Sequence, residues 1–166
     1  MKVVEDILKD TSNKKIIIAI GSAQYSRTAQ NPFTSAERKE MIRIAFKDAQ
    51  IPEKAYDLIA ISDIHSDSLW VGHVESASPK FDRVYTGNPL VKDLFQKAGY
   101  VVRDIQQHKN ISSTKIRSMM TQGMEREWKK LVPNAVTYYL GDIGAEKIVK
   151  EITTQQSGRS VKEDTP

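Results

Sequence analysis

Between Ile111 and Ser118 the chain reads Ile-Ser-Ser-Thr-Lys-Ile-Arg-Ser. Ser112, Ser113 and Thr114 place three hydroxyls at a helix start, beside backbone N–H groups that the helix leaves without acceptors, and that combination is a ready anion site. Arg117 follows Thr114 by three residues, so on a helix the two share a face and the forked guanidinium can grip a phosphate. A plain helix cap followed by a solvated basic face fits the same residues, and spacing alone leans toward that reading. Other chemistry has less behind it. His65 and His108 are lone loop histidines, and His73, inside an apolar helix, reads as a packed or hydrogen-bonded side chain. No pair or trio of His, Asp and Glu has metal-ligand spacing. The Ser112–Ser113 pair has no evident triad partner, which makes nucleophilic hydrolysis a poor reading.

The elements that must hold these residues alternate. Residues 2–9 read as an amphipathic helix with Val3, Val4, Ile7 and Leu8 on one face. Lys15–Ile20 is a β-branched run without polar alternation, as in a strand buried on both faces of a parallel sheet. Thr34-Ser-Ala-Glu37 is a capping box opening a helix to about Ala49, with Met41, Ile42, Ala45 and Phe46 as its buried stripe. Strands follow at Tyr56–Ser62, Arg83–Thr86 and Tyr100–Asp104. Helices are expected at Ser66–Ala77, from Asn88-Pro89 to Lys97 with Pro in the first turn, and at Ser112–Thr121, Pro133–Leu140 and Ala145–Thr153. Strands alternating with helices imply an open, doubly wound parallel sheet, which binds ligands beyond the carboxyl ends of its strands. The chemistry is then expected in the loops Gly21–Phe33, Asp63–Asp67, Thr86–Asn88 and Lys109–Thr114. One feature is out of pattern: the alternation opens on a helix where such units open on a strand.

The 166 residues suit one domain with a real core. Twenty-five Lys+Arg against 21 Asp+Glu leave a net charge of +4, which suits small anionic ligands and is too weak and scattered to argue for nucleic acid. The absence of cysteine excludes disulfides, thiolate metal sites and a cysteine nucleophile. No apolar run approaches the roughly 20 residues of a membrane span, and no targeting segment is evident, so a cytoplasmic protein is expected.

The Ile111–Arg117 segment resembles the carboxyl-terminal signature of the nucleotidyltransferase superfamily that carries a histidine-x-glycine-histidine motif, where it binds the triphosphate of ATP or CTP. Alone it does not choose among pantetheine-phosphate, FMN, NMN and glycerol-phosphate transferases. Gly21–Ser26, Asn31–Thr34 with Glu37-Arg38, Asp63-Ile64, Leu69–Val74 and Phe81–Val91 are similar to archaeal nicotinamide-mononucleotide (NMN) adenylyltransferases. The match runs in order and nearly unbroken from Val3 to Val149. It implies a Rossmann-like nucleotidyltransferase domain over residues 1–153, a polar tail at 154–166 expected to be disordered, and transfer of AMP from ATP to NMN with Mg²⁺, giving NAD and pyrophosphate. It implies that Gly87, Asn88, Ile111, Ser112, Ser113, Thr114 and Arg117 bind ATP, with Arg117 catalytic. Ser22, Asp63, Asp67 and Trp70 would hold NMN, and no residue would ligate a metal directly. The chemistry suits those roles: a carboxylate such as Asp63 accepts hydrogen bonds from a carboxamide or ribose, the Trp70 face stacks on a cationic pyridinium, and Gly87 lets backbone approach a nucleotide. Each has a plainer reading, Trp70 as core, Asp63 as a helix cap, and Gly87-Asn88-Pro89 as a turn and cap. A homo-oligomer is also implied, a hexamer being one candidate.

The chain departs from the family at its start. Family members open with a strand and a Gly-Arg-x-Gln-Pro-Phe-His-x-Gly-His stretch, whereas Met1 stands just after the second histidine. The expectation is a start-codon misassignment or a truncated chain, with activity of these 166 residues lowered at least about 100-fold. Gln30 replaces a charged residue of many relatives, and Asp67 replaces a common asparagine near the NMN. The rival readings are another adenylyl- or cytidylyltransferase acting on FMN or an alcohol phosphate, and a non-catalytic nucleotide-binding or assembly module.

Overall fold

A computed structural model describes residues 2–10, 12–105 and 111–160. In chain order the elements are α1 (Lys2–Lys9), β1 (Ile16–Ile20), α2 (Ser35–Asp48), a 3-10 turn at Glu53–Ala55, β2 (Tyr56–Ala60), α3 (Asp67–Ala77), β3 (Arg83–Thr86), α4 (Pro89–Lys97), β4 (Val101–Asp104), α5 (Ser113–Thr121), α6 (Glu125–Lys129), α7 (Asn134–Asp142) and α8 (Ala145–Ser160). They form two compact units, Met1–Gln24 with Ile51–His108 and Tyr25–Gln50 with Lys109–Pro166. The chain passes from one unit to the other without a Gly- or Pro-rich linker.

In the first unit, β1 runs parallel to β2 with Ile16 opposite Tyr56 and Ile20 opposite Ala60. β3 runs parallel to β4 with Arg83 opposite Val101 and Thr86 opposite Asp104. The expected parallel α/β architecture is present, its strands forming two two-stranded ladders among the described residues. β1 and β3 each keep one edge with no strand partner among the described residues. Side chains link the amino end of β1 to β3 instead. Asn13 Nδ2 donates to the Tyr85 hydroxyl at 3.2 Å, and Arg83 reaches Asp10 at 3.3 Å and Asn13 Oδ1 at 3.5 Å. The apolar core of this unit is Ile61, Val74 and Phe95, with Trp70, Val71, Phe81, Val84 and Tyr100 packed on it. Phe81 stacks on Tyr100 with ring centroids 5.0 Å apart.

The second unit is helical. Its core cluster is Met120, Trp128, Val136, Leu140, Ala145 and Val149, against which Met41, Ile44 and Ala45 of α2 pack. The Trp128 indole N–H, which a buried tryptophan must satisfy, donates to Glu146 at 2.8 Å. At the start of α2 the capping box forms as expected: Glu37 N–H donates to Thr34 Oγ1 at 3.1 Å, and Thr34 N–H donates to Glu37 Oε2 at 2.7 Å. Arg27 adds a bidentate pair to Glu37 at 2.9 and 2.7 Å, which, with the caps, holds the Glu37 carboxyl below the usual carboxylate range. Two expectations are corrected. The polar stretch from Thr154, expected to be disordered, continues α8 to Ser160, while residues 161–166 lie outside the described residues. The five-residue α6 was not foreseen, being too short for apolar periodicity to show.

Candidate functional site

The ladder of β1 and β2 continues one step past its strands, where Ile61 N–H donates to the Ile20 carbonyl at 2.9 Å. The backbone then turns sharply, with Ser22 in the left-handed region at φ 53°, a conformation that costs a non-glycine residue about 1–2 kcal/mol. Hydrogen bonds from the β2 side offset that cost. Ser22 N–H donates to Asp63 Oδ1 at 3.0 Å and its hydroxyl to Oδ2 at 2.5 Å. Gln24 pairs its side-chain amide with the Asp63 backbone, donating to the carbonyl and accepting from the N–H, each at 2.9 Å. Ala23 N–H donates to the Ile61 carbonyl at 3.0 Å. Ser22 and Asp63, both expected to hold NMN, are therefore brought together and bonded to each other.

Past this knot, Asp67 opens α3 as an exposed residue, and Ser66 before it makes no side-chain capping bond. Trp70 lies one turn on and is half-buried, packed against the Ile61, Val74 and Phe95 core. His73, one turn further, has Nε2 2.9 Å from the Ser62 carbonyl, and its ring lies 6.0 Å from the Trp70 ring at an angle of 42°. Its reading as a hydrogen-bonded histidine holds. After β3, Gly87 and Asn88 are exposed. Asn88 Oδ1 caps α4 by accepting from Leu90 N–H at 2.9 Å and Val91 N–H at 3.4 Å, with Pro89 at the first helical position. Its side-chain oxygen thus serves the cap.

In the second unit Ile111 is 47% exposed. Ser112 caps α5, its hydroxyl accepting from Lys115 N–H at 3.2 Å. Ser113 and Thr114 form the first turn and are exposed, and a first-turn amide has no acceptor within its own helix. Arg117 is half-buried, with one guanidinium nitrogen 3.3 Å from Thr114 Oγ1. Burial lowers its pKa from the usual arginine value, but a guanidinium stays charged. It forms no ion pair with a carboxylate among the described residues. A half-buried cation, three exposed hydroxyls and a helix N-terminus make an electropositive cradle for an anion. His108, and Lys109 and Asn110 of the expected loop, lie outside the described residues. Sequence reasoning missed Gln24 as a loop tie, and no local signal marks it, because its partner lies 39 residues away.

A fold of parallel strands and helices with this cradle is that of a nucleotide-binding α/β protein. A family model described as cytidylyltransferase-like matches residues 1–119, and the chain belongs to that family. The nicotinamide-nucleotide adenylyltransferase of Picrophilus torridus is 42% identical over 155 residues, covering 92% of this chain and 88% of that protein. The corresponding protein of Thermococcus sibiricus is 37% identical over 168 residues, covering 100% of this chain and 88% of its own length. Among solved structures, a bifunctional NMN adenylyltransferase/ADP ribose pyrophosphatase from Francisella tularensis, complexed with AMP and a manganese ion, superposes with a TM-score of 0.73 at 17% identity. That likeness is one of fold, and the chain spans 52% of that longer protein while 99% of its own residues are covered.

Proposed function

We propose that the chain is a nicotinamide-nucleotide adenylyltransferase, transferring the adenylyl group of ATP to NMN to give NAD and pyrophosphate. The observation that carries the chemistry is Arg117, a half-buried cation whose described polar contact is a neighbouring hydroxyl at 3.3 Å and which has no carboxylate partner among the described residues. The NMN phosphate attacks the α-phosphorus of ATP in line, the bond to the β-phosphate oxygen breaks, and pyrophosphate leaves with the developing charge. Arg117 and the Ser112–Thr114 hydroxyls and amides neutralise that charge, so their contribution is positioning and electrostatic stabilisation. Trp70 supplies the stacking face for the pyridinium, and Asp67 an exposed carboxylate at the start of the same helix.

A divalent cation accompanies ATP, Mg²⁺ in this proposal, and neutralises phosphate oxygens when bound. Among the described residues no group of three or more His, Cys, Asp or Glu could cage a metal. No helix among the described residues is long and apolar enough to cross a membrane, and a cytoplasmic location belongs to the proposal. So does a homo-oligomer, for which Tyr138, 76% exposed on α7, offers an aromatic contact. The domain reading is carried forward too: residues 1–153 form one nucleotidyltransferase domain, a reading supported by the parallel pairing of β1 with β2 and of β3 with β4.

The test is incubation of the chain with ATP, Mg²⁺ and NMN, reading NAD and pyrophosphate, alongside calorimetric titrations with ATP and NMN. FMN and glycerol phosphate in place of NMN test the sister activities. Saturable binding of ATP and NMN, with NAD as product, is expected; an ATP-binding chain that ignores NMN and accepts FMN would replace this reading. Binding of neither nucleotide would leave the assembly role.

A further inference from the structure

The hydrogen bonds at the carboxyl ends of β1 and β2 assign Asp63 a different part from direct contact with ligand. Both of its carboxylate oxygens accept from Ser22, at 3.0 and 2.5 Å, and both of its backbone polar groups pair with Gln24 at 2.9 Å. Ser22 stays in a left-handed conformation unfavourable to serine, so the carboxylate holds a loop shape that the local sequence does not prefer. The preceding residue, Ser62, offers its carbonyl to His73 Nε2 at 2.9 Å, and His73 lies against Trp70 on α3. The contacts thus run without a break from Ser22 through Asp63 and Ser62 to His73 and the indole.

We infer that Asp63 is a positioning residue: with Ser22, Gln24 and His73 it forms a latch that fixes the β2–α3 turn and sets the attitude of Trp70, and it contributes to NMN binding through that geometry rather than through its charge. This rests on the reading of Trp70 as the stacking face for NMN. A misplaced stacking plane weakens a ligand even where every contact residue is intact. The inference separates shape from charge at one position. Asparagine keeps the shape, since its Oδ1 can accept from Ser22 N–H while its Nδ2 donates to the Ser22 hydroxyl, and alanine keeps neither.

The experiment titrates NMN and, separately, ATP into the intact 166-residue chain and into the variants Asp63→Asn, Asp63→Ala, Ser22→Ala and Ser22→Ala/Asp63→Ala, with hydrogen exchange at the Ser22 and Ala23 amides. The latch predicts that Asp63→Ala weakens NMN about 10-fold while ATP affinity is unchanged. Asp63→Asn stays within about 3-fold of the parent, and the double variant is no weaker than Asp63→Ala, because the two residues act through one contact. Asp63→Asn as weak as Asp63→Ala would overturn the inference in favour of a charged contact, and so would strictly additive losses in the double variant. An Asp63→Ala chain that binds NMN as the parent does would also overturn it. If Asp63→Ala does not fold, Asp63→Asn against Ser22→Ala still decides, the latch predicting that Asp63→Asn stays near the parent while Ser22→Ala weakens NMN, and a charged contact predicting the reverse. If the parent itself fails to bind NMN, the proposed function falls instead; faster exchange at Ser22 and Ala23 in Asp63→Ala would then still report the latch, and unchanged exchange would remove it.

Discussion

The loops after β1 and β2 and the start of α5 are both rich in polar groups, and they dispose of them in opposite ways. At the first, Ser22, Gln24 and Asp63 satisfy one another in a closed set of hydrogen bonds at 2.5–3.0 Å. At the second, a cap bond from Ser112 and a long contact between Arg117 and Thr114 are the described side-chain ties. A set of polar groups that saturates itself fixes shape, and one with spare donors is left to recognise a ligand. The comparison divides labour between scaffold and binding site more sharply than residue types do, since serines and charges occur in both.

Substitutions can break that division, and the largest effect belongs to the open site. Arg117→Ala should weaken ATP binding by about 10- to 100-fold, the loss of a charge-assisted contact worth about 1.5–3 kcal/mol, and leave NMN affinity unchanged by calorimetry. Trp70→Leu should weaken NMN about 10-fold through loss of the cation–π stack while sparing ATP; equal losses for both ligands would make Trp70 a packing residue of the Ile61, Val74 and Phe95 core only. Ser112→Ala removes a cap worth about 1 kcal/mol, which should appear as a lower urea midpoint together with a few-fold loss of ATP affinity.

The smallest expected effect is a control on the closed kind of cluster. Glu37 is held below the usual carboxylate range, first by its hydrogen bond to Arg27 and also by Thr34. A carboxylate depressed on folding contributes stability that is fully present above its unfolded pKa and is lost as pH falls through the depressed folded value. The urea midpoint should therefore drop on acidification below the ordinary glutamate range, and Glu37→Gln should flatten that part of the profile. An identical slope in Glu37→Gln would assign the acid sensitivity to other carboxylates.

What could be read beforehand follows the range of the interactions. The Thr34–Glu37 capping box, the Asn88-Pro89 start of α4, the Ser112 cap and the Thr114–Arg117 contact all lie within three residues in sequence, and each was legible and formed. The Ser22–Asp63 bonds join residues 41 apart, and a left-handed serine carries no glycine to announce it. The pairing of β1 with β2 and of β3 with β4 was hidden for a related reason: strand apolarity tells that Ile16–Ile20 wants partners and not which edge will find one. The extension of α8 to Ser160 escaped notice because a Gln- and Ser-rich end reads as tail by polarity, although glutamine is an adequate helix former.

The most direct test sets Arg117→Ala and Asp63→Ala side by side, each titrated with ATP and with NMN. A crossed result is expected, with Arg117→Ala losing ATP and keeping NMN while Asp63→Ala does the reverse. If both variants lost both ligands in the same proportion, or if neither lost any, scaffold and binding site would not be separate and the account would be contradicted.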